Sequence, residues 1–381
     1  MGFGLTRKLL STAAAVALVA TACSSSTATT APTTAPTTAA SGDIVAYAKQ
    51  LVANELSAAS GWGGPTTGPK AQTASGPIVF VGADMTNGGI SALADGVKEA
   101  ATAIGWTVQV IDGKATVQGR TDAMSQAIAL NPAGIILGGF DATEQKTAIQ
   151  QATDKKIPVV GWHAGSKPGP DTTTGMFTNI TTDPLEVSKL AAYYAIADSN
   201  GTAGVVIYTD SQYQIAIDKA NAMQDIIKQC TTCTVLEYKD TPIASAQQDM
   251  PSVVAAELQK YGSKFTYMLA INGNYFAGSR AALVDAGLKG TDAPHAVAAG
   301  DGDAAEFQRI RNQDYQDASV AEPLYLQAWQ LIDELNRAIA GQPASGYLAP
   351  PALITKANVP SGSVFDPNSG YRDNFKTIWG K

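Results

Sequence analysis

Residues 77–89, Pro77-Ile78-Val79-Phe80-Val81-Gly82-Ala83-Asp84-Met85-Thr86-Asn87-Gly88-Gly89, set the architecture. Residues 78–81 are a continuous apolar run, which is the pattern of a strand buried on both faces in a parallel sheet covered by helices. A polar turn follows at 84–87, and residues 90–104 then carry apolar side chains at helical spacing. A buried strand, a short polar turn and an amphipathic helix make the first half of a βαβ unit.

The pattern repeats downstream. Strands are expected at 108–111, 134–137 and 159–161, with helices at 120–130 and 142–155 between them. A second series follows: strands at 205–208, 234–236, 267–270 and 296–299, with helices at 213–229, 246–261 and 276–286. Asp84 and Asp210 both stand at the end of the first strand of their series. The expectation is an α/β protein of two doubly wound, Rossmann-like lobes, each long enough to hold its own core. An amphipathic helix at 324–341, a strand at 352–354 and an aromatic tail (Phe365, Tyr371, Phe375, Trp379) complete the chain, the tail packing down on the body.

The first residues address the chain to export. Arg7 and Lys8 precede an apolar run at 9–20 that is too short to span a bilayer, and Ala20-Thr21-Ala22-Cys23 follows. Residues 1–22 read as a signal peptide. The ending resembles a bacterial lipobox, with Ala20 where Leu is usual, and this resemblance makes Cys23 the lipidated residue of the mature protein; ordinary cleavage nearby is the alternative. Residues 24–42 are all Ser, Thr, Ala, Pro or Gly, so residues 23–42 form a lipid-anchored tether with nothing to bury. Residues 43–76 are an N-terminal extension, a helix followed by an extended Gly/Pro/Thr-rich segment. Cys230 and Cys233 close a helix-to-strand turn, which in an exported protein favours a structural disulfide. A redox pair would sit at a helix N-terminus, and zinc would need more than the two His present.

The net charge of −7 and the pI near 4.9 exclude nucleic acid as a partner, since an acidic surface repels phosphates. G-x-S-x-G, G-x-x-x-x-G-K and H-E-x-x-H motifs are all missing from the sequence. The expected protein is not an enzyme and uses no cofactor or metal.

Several strings in order, Ala83-Asp84-Met85-Thr86-Asn87, Asn131-Pro132-Ala133-Gly134, Ile157-Pro158-Val159-Val160, Ala270-Ile271-Asn272, Ala299-Gly300-Asp301-Gly302 and Glu322-Pro323, resemble the type I periplasmic binding proteins of the ribose-binding family over roughly 77–357. The resemblance implies three chain crossings, near 181–183, at 322–323 and after Gly341, making a three-strand hinge. Lobe 1 would then be 77–180 plus 323–346, and lobe 2 would be 181–322 plus 347–381. It implies a monomeric substrate-binding lipoprotein on the extracytoplasmic side of the cell membrane, delivering a sugar-like solute to the permease subunits of an ABC transporter. A lipoprotein presenting its ligand to a signalling receptor would share the fold. A transcription regulator on the same lobes would need a helix-turn-helix where this chain has its leader.

Open α/β sheets bind ligands at the carboxyl ends of their strands. That rule selects Asp84, Asn87, Phe140, Asp141, Trp162 and His163 from the first series. From the second it selects Asp210, Tyr213, Asn272, Tyr275 and Asp301. The resemblance points to Asn87, His163, Asn272 and Asp301 as well, and adds Glu322. Carboxylates and amides suit the paired hydroxyls of a polyol, and Trp162, with Tyr213 and Tyr275 behind it, suits the C–H face of a ring. Two departures stand out. The family usually has two Phe where this chain has Gly88-Gly89, and Arg near the pocket where this chain has His163 and several acids, a set that also suits an amine. An Asp after a strand also serves as the cap of the next helix.

Overall fold

The computed structural model describes residues 41–57 and 61–381. The signal segment, Cys23 and the tether through residue 40 lie outside the described residues. The first sheet contains β1 (Ile78–Gly82), β2 (Val108–Asp112), β3 (Gly134–Gly138), β4 (Val159–Trp162), β5 (Gly169–Asp171) and β6 (Met176–Ile180), in the order β2-β1-β3-β4-β6-β5. Every pairing in it is parallel except the β5–β6 hairpin. β1 has a strand on either side and every one of its residues is buried, as its apolar run requires, with Phe80 in register with Val110 and Ile136. Helices α2 (Gly88–Ile104), α3 (Val117–Ala129), α4 (Lys146–Asp154) and α10 (Leu324–Ile339) cover this sheet.

The second sheet repeats the design. It contains β7 (Gly204–Thr209), β8 (Thr234–Asp240), β9 (Tyr267–Ala270), β10 (His295–Ala298), β11 (Gln316–Ala321) and β12 (Ala352–Thr355). Their order is β12-β11-β10-β9-β7-β8, with β12 antiparallel at the edge. Helices α5 (Pro184–Asp198), α6 (Gln214–Gln229), α7 (Ala246–Tyr261), α8 (Asn274–Asp285) and α9 (Ala304–Asn312) flank it. The chain passes between lobes at 181–183, at 322–323 and between α10 and β12. Periodicity left β5, β6, α5, α9 and β11 unassigned. Their apolar residues are mixed with buried polar ones, such as Asn179, Ser188 and Gln316, that obscure the period.

The C-terminal end differs from expectation. Of residues 347–381, assigned to lobe 2 from the sequence, β12 pairs along its whole length in the second sheet, whereas α11 (Tyr371–Trp379) packs in the core of lobe 1. Trp379 stacks on Trp329 at 5.4 Å, and its Nε1 donates to Asp333 Oδ1 at 2.8 Å, inside α10. The N-terminal extension touches both lobes. Its helix α1 (Ser41–Ser57) buries Ile44 and Ala48 in the core of lobe 2. Its extended part lies on lobe 1, where Trp62 packs against Tyr347 and Phe375. Arg337 Nη2 donates to Thr67 O at 2.8 Å, and Gln72 N donates to Asn336 Oδ1 at 2.9 Å.

Cys230 is bonded to Cys233, with Cα atoms 5.2 Å apart, at the end of α6. Among the described residues, no helix is long and apolar enough to cross a membrane.

Candidate functional site

The carboxyl ends of the two sheets face one another across a cavity. Lobe 1 lines it with Asp84, Asn87, Trp162 and His163, and lobe 2 with Tyr213, Lys219, Asn272 and Asp301. Ile90, Ile215, Ile243 and Ile271 supply apolar wall between the polar groups. Seven residues selected from sequence therefore meet here: Asp84, Asn87, Trp162, His163, Tyr213, Asn272 and Asp301.

Local backbone chemistry explains how three of them are held. Asp84 Oδ1 accepts from Thr86 N at 2.9 Å and from Thr86 Oγ1 at 2.7 Å. Asn87 caps α2, its Oδ1 accepting from Gly89 N at 2.9 Å and Ile90 N at 3.3 Å. Asn272 Oδ1 accepts from Asn274 N at 3.2 Å. Each side chain spends one oxygen on its own turn, which fixes its rotamer. The second polar atom of each has no hydrogen bond to another described residue. Asp301 differs from these. It is only 7% exposed, and no described residue donates a hydrogen bond to its carboxylate. Burial pushes its carboxyl above the ordinary value; His163 and Lys219 pull it back, and Glu322 and Asp303 push it further up.

A charged network joins both lobes, from His163 and Lys219 in the cavity wall to Glu322 behind it. His163 Nε2 is 3.0 Å from the fully buried carboxylate of Glu322, and Lys219 Nζ is 3.5 Å from it. Gln327 Nε2 donates to Glu322 at 3.0 Å, and Trp162 Nε1 donates to Gln327 Oε1 at 2.8 Å. Burial opposes ionisation of Glu322. The charges of His163 and Lys219, with hydrogen bonds from His163 and Gln327, more than offset it and hold the carboxyl well below its usual range. The Trp162 indole stacks on the His163 ring at 3.7 Å, so one of its faces is already covered. His163, Asp301 and Glu322 present donor atoms within 4.8 Å of one another, the spacing of metal ligands. Lys219 Nζ, 3.5 Å from Glu322, already sets cationic charge against one of the two carboxylates.

Five sequence candidates lie elsewhere, and each has a structural duty. Asp210 accepts from Gln212 N and Ile243 N, at 2.9 and 2.8 Å, tying two loops together. Tyr275 is fully buried, donates its hydroxyl to Thr241 O at 2.9 Å and stacks on Tyr208. Asp141 accepts from Gln214 N at 3.1 Å, and Glu322 belongs to the network behind the cavity wall. Phe140 is buried in the core of lobe 1. Position at a strand end predicts proximity to the cleft, but each side chain's orientation is set by the turn that follows.

Lys219 was not selected from sequence, although a signal for it existed. It occupies the buried stripe of α6 that includes Ile215, Met223 and Ile226, where an unpaired Lys is rare. Gly88 and Gly89 also gain a reason. A Cβ on Gly88 would lie 2.0 Å from Asp303 Oδ2, and one on Gly89 would lie 2.4 Å from Asp301 Oδ2. Room that bulkier residues would take on lobe 1 is filled here by carboxylates of lobe 2.

Two doubly wound lobes, three connections and a polar cavity between the strand ends define a two-lobed solute-binding protein of the type I periplasmic fold. The chain belongs to the family of the periplasmic binding protein domain, whose model matches residues 78–343. Among solved structures it is similar to a galactofuranose binding protein, at 17% identity and TM-score 0.64, over 80% of this chain and 99% of that one. It is also similar to the periplasmic component of the arabinose ABC transporter of Shewanella sp. ANA-3, bound to α- and β-L-arabinofuranose (18% identity, TM-score 0.64, 79% and 95% of the two chains). A third is an ABC transporter solute binding protein from Agrobacterium vitis bound with α-D-tagatopyranose, at 18% identity and TM-score 0.66, over 76% and 98%. At these identities the structural likeness shows a common fold alone. No curated protein matches the chain.

Proposed function

We propose that this protein is an extracytoplasmic lipoprotein, anchored through Cys23, that binds one monosaccharide-sized polyol between its lobes for the permease of an ABC importer, acting as a monomer without cofactor or catalysis. The observation that carries the solute class is Asp301: a buried carboxylate with no protein donor, facing a cavity into which Asp84, Asn87 and Asn272 each bring an unused polar atom. Vicinal hydroxyls donate and accept in pairs and satisfy such a set. The apolar walls suit the C–H surfaces of a ring. Lys219 Nζ and His163 Nε2 lie 3.5 and 3.0 Å from the Glu322 carboxylate, so that acid is met within the protein and is not offered to a solute. The sugars named for the similar solved structures agree with this reading.

Thermal-shift screening of the mature protein against pentoses, hexoses, polyols and amines tests it. A sugar at a hundred times its dissociation constant is expected to stabilise the fold by about 2.7 kcal/mol, and Asp301→Ala to abolish that shift. Stabilisation by amines alone would overturn the solute class.

A further inference from the structure

Helix α6 of lobe 2 begins without a cap from its own segment: Tyr213, at its N-cap position, makes no capping side-chain hydrogen bond. The first helical amide, on Gln214, donates at 3.1 Å to Asp141 Oδ2, and Asp141 follows β3 in lobe 1. The seam continues beside this bond. The Tyr213 ring packs against the cores of both lobes and lies 5.7 Å from the Arg120 guanidinium of α3, which Glu144 clamps at 2.9 and 2.6 Å. We infer that Asp141 is a positioning residue for closure, capping α6 across the cleft so that the helix acquires its N-terminal partner only when the lobes meet.

The physical case rests on what each group does when the cleft opens. Helix N-termini leave amides unpaired, and a carboxylate is the favoured group to satisfy them and to face the positive end of the helix. Apart, Asp141 and the α6 amide are each hydrated. Together they form a charge-assisted bond, which offsets the burial of the carboxylate and of its unpaired Oδ1, and Asp141 does not line the cavity, so the bond forms with or without solute. A lost cap changes a two-state balance by about 5-fold. The inference rests on the two-lobed fold and is independent of which solute binds.

Small-angle scattering and amide hydrogen exchange of the ligand-free mature protein test it. Asp141→Ala is expected to move the open–closed ratio about 5-fold toward open, raising the radius of gyration and speeding exchange at residues 215–217. Asp141→Asn keeps an acceptor oxygen and is expected to restore most of both. Gln214→Pro removes the donor from the opposite lobe. The first helical position tolerates Pro, and Tyr213 already has the extended backbone that a following Pro requires (φ −121°, ψ 122°). The same rise in radius of gyration is therefore expected without loss of the helix. Scattering unchanged in both Asp141→Ala and Gln214→Pro would overturn the inference, and faster exchange without a change in scattering would reduce the contact to a local cap.

Discussion

Gly89 is the second residue of α2, beside the Asn87 cap, where its flexibility still costs part of the roughly 1 kcal/mol by which Ala is favoured over Gly in a helix interior. The chain keeps Gly because the Asp301 side chain of lobe 2 lies where a methyl group would be. Asp301 has little room to yield, being buried. Gly89→Ala is therefore expected to leave the melting temperature of the ligand-free protein unchanged or slightly higher, while weakening solute binding by about 10-fold or more, since overpacking costs roughly 1–3 kcal/mol. Calorimetric titration alongside a melting curve reads both. A lowered melting temperature with full affinity would place the strain within lobe 1 instead of between the lobes.

Elements carry charge in places that periodicity marks as core. In α7, Glu257 faces the sheet of lobe 2 and accepts from the hydroxyl of fully buried Tyr208, near the end of β7. Burial pushes its carboxyl up to about 7; Tyr208 lowers it and Glu237 raises it. Below the ordinary value near 4.5 the group is protonated in both folded and unfolded chains. As pH rises from there through 7, the folded chain keeps a proton that the unfolded chain has lost, so this group's contribution to stability falls, by up to about 3 kcal/mol. Glu257→Gln retains an acceptor for Tyr208 and removes that dependence. The difference in melting temperature, variant minus wild type, should be larger at pH 8 than at pH 5. A difference that shrinks with pH would mean the carboxylate is stabilised by its partners instead. Helix α10 shows the same principle with charges paired: Arg337 Nε donates to Asp333 Oδ2 at 2.7 Å, both side chains nearly inaccessible.

Across the whole molecule, the two chain ends act as additional links between lobes. The extension seats α1 in lobe 2 and its extended segment on lobe 1, and the tail runs from β12 in lobe 2 to α11 on lobe 1. Both complete the polar side of α10: in the extension, Pro69 O accepts from Asn336 at 3.1 Å and Thr67 O from Arg337 at 2.8 Å, and in the tail Trp379 donates to Asp333 at 2.8 Å. Removing residues 41–76 would leave the buried donors of Asn336 and Arg337 unpaired, at about 1–3 kcal/mol each, and uncover the seat of Ile44 and Ala48. The expected result is a melting temperature lower by roughly 5 °C or more. An unchanged value would show that water replaces the extension without penalty.

How much of this was legible from the chain follows from what each signal measures. Apolar runs such as 78–81 and 205–208 report burial on both faces, a local property, so the two series of βαβ units, the strand ends and the cleft between them could be read without coordinates. The departure at Gly88-Gly89 was visible as well, though its reason was not. Only the tertiary structure decided which strand-end side chains enter the cavity: Asp84 and Asp210 have matching sequence positions, yet only Asp84 lines it. It alone paired Glu322 with Lys219, set Asp141 on a helix of the opposite lobe and carried α11 back to lobe 1. Secondary structure arises from short-range periodicity that a linear pattern records. The partner of a buried charge is chosen by atoms distant in the chain, and no spacing along the sequence encodes that choice.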